Sequence, residues 1–168
     1  AGLPERAGRA LPKLLSTQRR SGFFHSQAGE WDANGAALWT LHRYCRLSGH
    51  APPGQWRRAL VRGGEWIIRK RVREPQSAAH AGLLPPGFSA EHLGANDWYY
   101  WDDFWSIAGL RGAAELLEEL GDNKFRDRFR NEAEDLLGAM QRSLEMTASR
   151  RPRIGIPASP YRRMDAGA

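Results

Sequence analysis

"YWDDFWSIAGLRGAAELLEELGD", residues 100–122, decides how the rest of the chain reads. It opens on Trp-Asp, continues as an apolar helical pattern and closes on Gly followed by Asp. Upstream, "EWDANGAALWTLHRYCRLSGH" at 30–50 follows the same plan, with Trp-Asp at the start and Gly followed by His at the end. The pairs Trp31-Asp32 and Trp101-Asp102 stand 70 residues apart, and self-similarity at a fixed spacing is the mark of a repeat architecture. After each Gly a second helical pattern follows, 55–73 and 123–146, opening with Trp56 or Phe125. A Gly between two helical patterns suits the left-handed residue that ends a helix. The repeat is therefore expected to be a helical hairpin, present twice.

The two helices of each hairpin differ in character. In 101–120, Trp101, Phe104, Trp105, Ala108 and Leu116 cover one side and Ile107, Leu110, Ala114 and Leu117 another, so this helix is expected to be buried on most faces. In 123–146 a single stripe of Phe125, Phe129, Ala133, Leu136, Leu137, Met140 and Leu144 is set among Arg, Glu and Asp, as in a helix with one wet face. Buried helices inside and amphipathic helices outside are the plan of a stacked αα-barrel or αα-solenoid. Residues 5–20 read as the outer helix of a preceding hairpin. The whole, 1–168, is then an internal fragment of one domain holding about two and a half hairpins.

The connections favour a barrel. Residues 74–99 form a long loop with three Pro and three Gly, and long ordered loops in compact domains are usually functional. Residues 21–33 are a shorter version. Both loops lead into the first helix of a hairpin, so they are expected at one end of the molecule, at a mouth formed by helix N-termini.

Composition narrows the classes. The apolar fraction of 41% and charged fraction of 26% are those of a packed globular chain. The net charge of +6 is unevenly spread: residues 1–75 hold 14 Lys+Arg against 5 Asp+Glu (+9), and residues 76–168 hold 11 against 14 (−3). The basic excess recurs around "RRALVRGGEWIIRKRVRE", which reads as the outside of a helix rather than a nucleic-acid face. No nucleic-acid partner is expected. No run of ~18 apolar residues is present, so no membrane span is expected. The one Cys, Cys45, lies in an apolar helical pattern and reads as a small buried hydrophobe. His80 and His92 lack a second ligand at metal spacing, so neither a metal nor a cofactor is expected.

Aromatic faces beside carboxylates suit a sugar. A pyranose stacks its C–H face on Trp or Tyr, and its hydroxyls donate to ionised Asp or Glu. Helix N-termini favour such anions. Asp97, Asp102 and Asp103 from one loop and Glu30 and Asp32 from the other fit that role, with Asn96 beside them and Trp31 in the second Trp-Asp pair. Asp32, Asn34, Asn96 and Asp97 also read as helix N-caps. Tyr99, Tyr100, Phe104 and Trp105 also read as core, and Phe104, Trp105, Ile107 and Leu110 are expected in the inner ring.

"YYWDDFW" at 99–105 resembles the "YYWDSYF/W" signature of trehalases and their relatives among the inverting six-hairpin, (α/α)6-barrel glycosidases. "GEWDANGAALWTLHRYCRLSGH" and "GLLPPGFSAEHLGANDWYYWDDFW" resemble segments of bacterial six-hairpin glycosidases of the glucoamylase and debranching kind. The likeness spans about 21–122. It implies an all-α fold in which these hairpins are part of an (α/α)6 toroid. It implies that Trp101 and Asp102 contact a sugar, with Tyr99 lining the same subsite. Trehalases carry Arg-Glu ahead of the signature where this chain has Asn96 and Asp97, so trehalose is not the implied substrate.

The implied reaction is hydrolysis of an α-glucoside or oligosaccharide with inversion. One carboxylic acid protonates the leaving oxygen and a carboxylate ~6.5–9.5 Å away activates water. The family's acid and base lie further along the chain than the matching segment. Glu30 and Asp32, the mouth carboxylates of the other hairpin, are candidates for acid, base or hydroxyl ligand, with the ligand role preferred. Two other classes fit the hairpins. An αα-barrel epimerase or lyase would draw its base from His or Tyr, here His25 or His92. A scaffold that binds glycan or protein without turnover explains the repeat but not the acidic aromatic mouth. A metal-dependent reading of "WDDFW" as DDxxD fails because Ser106 stands where the last acid is needed.

Overall fold

The computed structural model of the chain describes residues 3–27, 29–75, 77–88, 96–148 and 156–161. His92 and the 89–95 part of the long loop lie outside the described residues. Within them the chain is all-α: α1 (Pro4–Ser16), α2 (Ala33–Ser48), α3 (Arg57–Lys70), α4 (Tyr100–Glu119) and α5 (Asn123–Ala148). A 3-10 turn, Gly54–Trp56, leads into α3, and the only extended pairing among the described residues is two isolated bridges.

Both hairpin turns close on glycine. Gly49 takes φ 73° and sends its N–H to the Cys45 carbonyl, 2.9 Å away; Gly121 takes φ 76° and bonds Glu118 at 3.0 Å. These left-handed residues satisfy carbonyls that the helix ends leave open. Asp122 then caps α5 by accepting the Phe125 N–H (3.3 Å), and it pairs with Arg57 at the start of α3 (2.6 Å).

The helix ends differ from the sequence reading where loops compete for the backbone. α2 begins at Ala33, at the end of the 21–33 loop, whose last residues are held elsewhere: Phe88 N–H bonds Gly29 O (2.8 Å) and the Trp31 indole N–H bonds Pro86 O (3.2 Å). The first helix stops at Ser16 rather than 20, since Gln18 pairs with Phe24 and its amide reaches Gly22 O and Ala59 O. α3 ends at Lys70. Arg71 turns out of it to bond Gly82 O (2.7 Å) and to pair with Glu132 (3.0 Å) and Asp135 (2.6 Å), clamping the long loop against α5.

The two hairpins lie side by side with like helices parallel. Along α2 and α4, Asp32 meets Trp101, Gly35 meets Trp105 and Gly109, His42 meets Gly112 and Glu115, and Arg46 meets Glu119. Partners are therefore about one repeat apart in sequence. Along α3 and α5, Arg57 meets Asp122, Glu65 meets Arg128 and Gly64 meets Phe129. Leu38, Leu41, Leu60, Ile67, Leu110, Leu116, Leu117 and Phe129 fill the space between the four helices and are fully buried, with Cys45 among them. Burial pushes the Cys45 thiol up, as for a buried structural cysteine. A smaller core of Leu83, Tyr100, Ile107, Leu136 and Met140 seats the long loop on α4 and α5.

Asn34 is not an N-cap. It is the second residue of α2 and fully buried, where it accepts the Phe24 N–H (2.7 Å) and donates to Gly22 O (3.1 Å) and Gly63 O (2.9 Å). One side chain thus ties the 21–24 loop, α2 and α3 together.

The closest approach of α2 and α4 is backbone against backbone. A Cβ on Gly35 would strike the Trp105 carbonyl, one on Gly109 would lie 2.6 Å from Gly35 Cα, and one on Gly112 would lie 2.9 Å from His42 Cβ. Backbone cannot rotate away as a side chain can, so Gly35→Ala and Gly109→Ala are each expected to destabilise by at least the ~1–3 kcal/mol of core overpacking. Gly138 in α5 is the control: its Cβ would meet only the mobile end of Arg142, at 3.4 Å. Gly138→Ala is expected to raise stability by roughly 1 kcal/mol through helix propensity. Urea unfolding of the three variants checks the opposite signs.

Candidate functional site

The N-termini of α2 and α4 come together at one end of the molecule, and the two loops that lead into them are joined there. Phe88 N–H bonds Gly29 O, Trp31 bonds Pro86 O, and Gly87 pairs with Asp97 through two backbone bonds of 2.9 and 3.1 Å. Trp101 stands in the first turn of α4, 46% exposed, with its indole N–H donated to Asp32 Oδ2 at 3.0 Å. Asp32 holds the N-cap position of α2 but makes no side-chain bond to that helix, which leaves its carboxylate on the surface beside the indole. Glu30 lies just before it and accepts the Gln27 amide at 2.8 Å.

Asp102 follows Trp101 but is only 4% exposed. Its carboxyl faces the start of α2, where the Asp32 backbone N–H favours its charged form. Its Oδ2 is buried with no hydrogen-bond partner among the described residues. Burial first, and then the negative charges of Asp103 and Asp32, push this carboxyl from the ordinary 3.8 up to about 8; Glu30 adds to the effect and the Asp32 N–H opposes it.

Asp103, expected at the mouth, faces the other way. Its Oδ1 accepts the Leu84 N–H at 2.9 Å inside the seat of the long loop, and burial raises it to about 7 against the opposing Leu84 bond and Arg71 charge. Phe104 and Trp105, expected in the core, lie instead on the open side of α4: Phe104 is 41% exposed, and Trp105 is half-buried. Trp105 packs edge-on between Trp101 (5.8 Å) and Trp39 (5.3 Å). The sequence reading passed over Trp39. Its signal was the spacing of Ala36, Trp39 and Arg43, which puts an indole on the side of α2 beside the α4 contact.

The remaining expected sugar contacts are placed differently. Trp31 is turned inward, against Phe23 and Trp66, with Lys70 Nζ 4.0 Å over its ring. Tyr99 is buried at the N-cap of α4. Asp97 is buried and bonds the Trp98 N–H and the Ser159 hydroxyl, each at 2.8 Å. Asn96 is exposed. Asp32, Glu30, Trp101 and Asp102 are thus the expected residues that share one patch, while Trp31 is turned inward and Tyr99 and Asp97 are buried.

Part of the basic excess of the first half is engaged within the fold, along α3 and just after it. Arg62 and Arg69 bond the carbonyls of Arg19 and Ser21, while Arg57 and Arg71 form ion pairs with α5 or its cap. Among the described residues no helix is long and apolar enough to cross a membrane, and no group of three His, Cys, Asp or Glu side chains is placed to hold a metal ion.

Fold and site together define an all-helical chain of paired hairpins with an acidic, tryptophan-walled patch at the N-termini of its first helices. Compared with family models, with curated proteins and with solved structures, the chain finds no match.

The two raised carboxyls make stability depend on pH in a defined direction. Folded, Asp102 and Asp103 keep protons that the unfolded chain loses near pH 3.8, so their contribution is complete below that value. It declines as pH rises and is gone for Asp103 above about 7 and for Asp102 above about 8. Urea unfolding at about pH 5 and about pH 9 is expected to show a smaller loss in Asp102→Asn than in the unsubstituted chain, by ~2 kcal/mol or more, since one unit of separation is worth about 1.4 kcal/mol.

Proposed function

We propose that the patch is one lip of a sugar-binding mouth, and that the chain is a section of an (α/α)6 toroid of the six-hairpin glycoside hydrolase kind. The substrate would be an α-glucoside or oligosaccharide, hydrolysed with inversion. The observation that carries this reading is the pairing of a half-exposed Trp101, its N–H on Asp32, with the adjacent buried Asp102, whose Oδ2 is unpartnered. An indole face offers stacking to the C–H side of a pyranose, and the carboxyl groups offer bonds to its hydroxyls. The parallel register of α2 and α4 is that of stacked αα-hairpins, which build either a closed toroid or an open solenoid. The "YYWDDFW" resemblance points the same way. In this arrangement Asp32 and Glu30 are hydroxyl ligands at the rim. The acid and base of the family's reaction would come from other hairpins.

The test is hydrolysis by the polypeptide that carries the complete toroid, measured as reducing sugar released from α-disaccharides and α-glucans. Asp102→Ala and Trp101→Ala are each expected to lower turnover about tenfold to a hundredfold, the worth of a hydrogen bond to a charged or desolvated group at about 1.5–3 kcal/mol, with helical content unchanged. Absence of any release by the unsubstituted protein would sink the enzymatic reading. Binding without release would favour the glycan-binding scaffold.

A further inference from the structure

A sugar hydroxyl needs a donor facing its lone pairs as well as an acceptor for its proton, and two of the described donors at this mouth are already engaged. The Trp101 indole N–H is taken by Asp32, and the Gln27 amide bonds Glu30. The groups that act on the Asp102 carboxyl are Asp103 from its own helix, Asp32 from the N-cap of α2 and Glu30 from the loop before it. All three are acidic. Arg71 acts on Asp103 and is engaged with Gly82, Glu132 and Asp135. Asp102 is only 4% exposed and its Oδ2 is buried with no hydrogen-bond partner among the described residues. A carboxyl so placed among three acidic neighbours is relieved most simply by a proton.

We propose that Asp102 works as a neutral carboxylic acid whose O–H donates a hydrogen bond to an oxygen of the bound sugar, while Asp32 and Glu30 accept from neighbouring hydroxyls. The inference rests on the sugar-binding reading above. It also makes Asp102 a specificity determinant. A neutral acid can bond the ring or bridging oxygen of a glycoside, which has lone pairs and no proton to give, whereas a carboxylate in the same place would repel it. The position of the raised carboxyl, with its titration near 8, sets the alkaline limit of binding.

The experiment follows binding of maltotriose by tryptophan fluorescence at about pH 6 and about pH 9, with infrared spectra of the ligand-free protein alongside. Wild-type affinity is expected to fall about tenfold per pH unit once Asp102 ionises, because only the protonated form binds. Asp102→Ala is expected to lose tenfold or more at pH ~6. Asp102→Asn, which keeps a donor and an acceptor in the same shape, is expected to restore affinity to within about threefold and to abolish the pH dependence. An Asn variant as weak as the Ala variant, or a wild type whose affinity is flat through about pH 9, overturns the proposal. In the infrared, Asp103→Asn at pH ~6 is expected to retain a protonated-carboxyl C=O stretch that the double variant Asp102→Asn with Asp103→Asn lacks. Its absence overturns the neutral acid whether or not glycan binds, and its presence without glycan binding at either pH overturns the sugar reading instead.

Discussion

The backbone contact between α2 and α4 is the constraint on which the rest depends. Gly35, Gly109 and Gly112 remove the side chains that would hold the two helices apart, so Gly35 lies directly against the Trp105 carbonyl. Nothing flexible separates the two helices at that level, and their register has little room to slip. That register brings Asp32 to Trp101 at one end and Arg46 to Glu119 at the other. A side chain on any of these glycines would move the helices apart, and the N-terminal patch would open with them.

Close approach also explains the electrostatics of that end. When two helix N-termini meet, residues that would each be solvated on a lone helix share one small space. Asp102 lies against the start of α2, where the Asp32 backbone N–H favours its charged form and the Asp32 carboxylate opposes it. The favourable field of a helix N-terminus is present, yet burial and three acidic neighbours outweigh it, and the carboxyl stays high. Its neighbour in sequence, Asp103, is rotated by about 100° around α4 and meets Leu84 and Arg71 instead. Two adjacent aspartates therefore have separate surroundings: one fastens the long loop, and the other is buried against the start of α2.

Much of the architecture was legible from local pattern. The Trp-Asp starts, the glycine stops and the 70-residue spacing located both hairpins, because periodicity and turn chemistry are properties of a few consecutive residues. Side-chain direction at helix starts was not legible in the same way. Trp31 and Trp101 occupy equivalent places in the repeat, yet one is pinned inward by Pro86 and Lys70 and the other is open. Asn34 looked like a cap by residue type and proved to be a buried tie among three segments, since its partners Gly22, Phe24 and Gly63 come together only in the fold. Phe104 and Trp105 looked like core by hydrophobicity, which reports a preference for burial without saying which side of a helix has a neighbour.

The sequence by itself determined that this chain is helical, that its helices pair as two like hairpins, and that aromatic and acidic residues crowd the start of the first helix in each. Those are consequences of period, propensity and turn residues acting over short distances. Only the tertiary structure decided which of the crowded residues meet and which are covered: Trp101 with Asp32, Asp102 with the α2 N-terminus, Asp103 with the loop, and Tyr99 and Asp97 buried. The physical reason is that burial and charge coupling depend on distances between segments 70 residues apart, and those distances are set by glycine-lined packing rather than by any local preference.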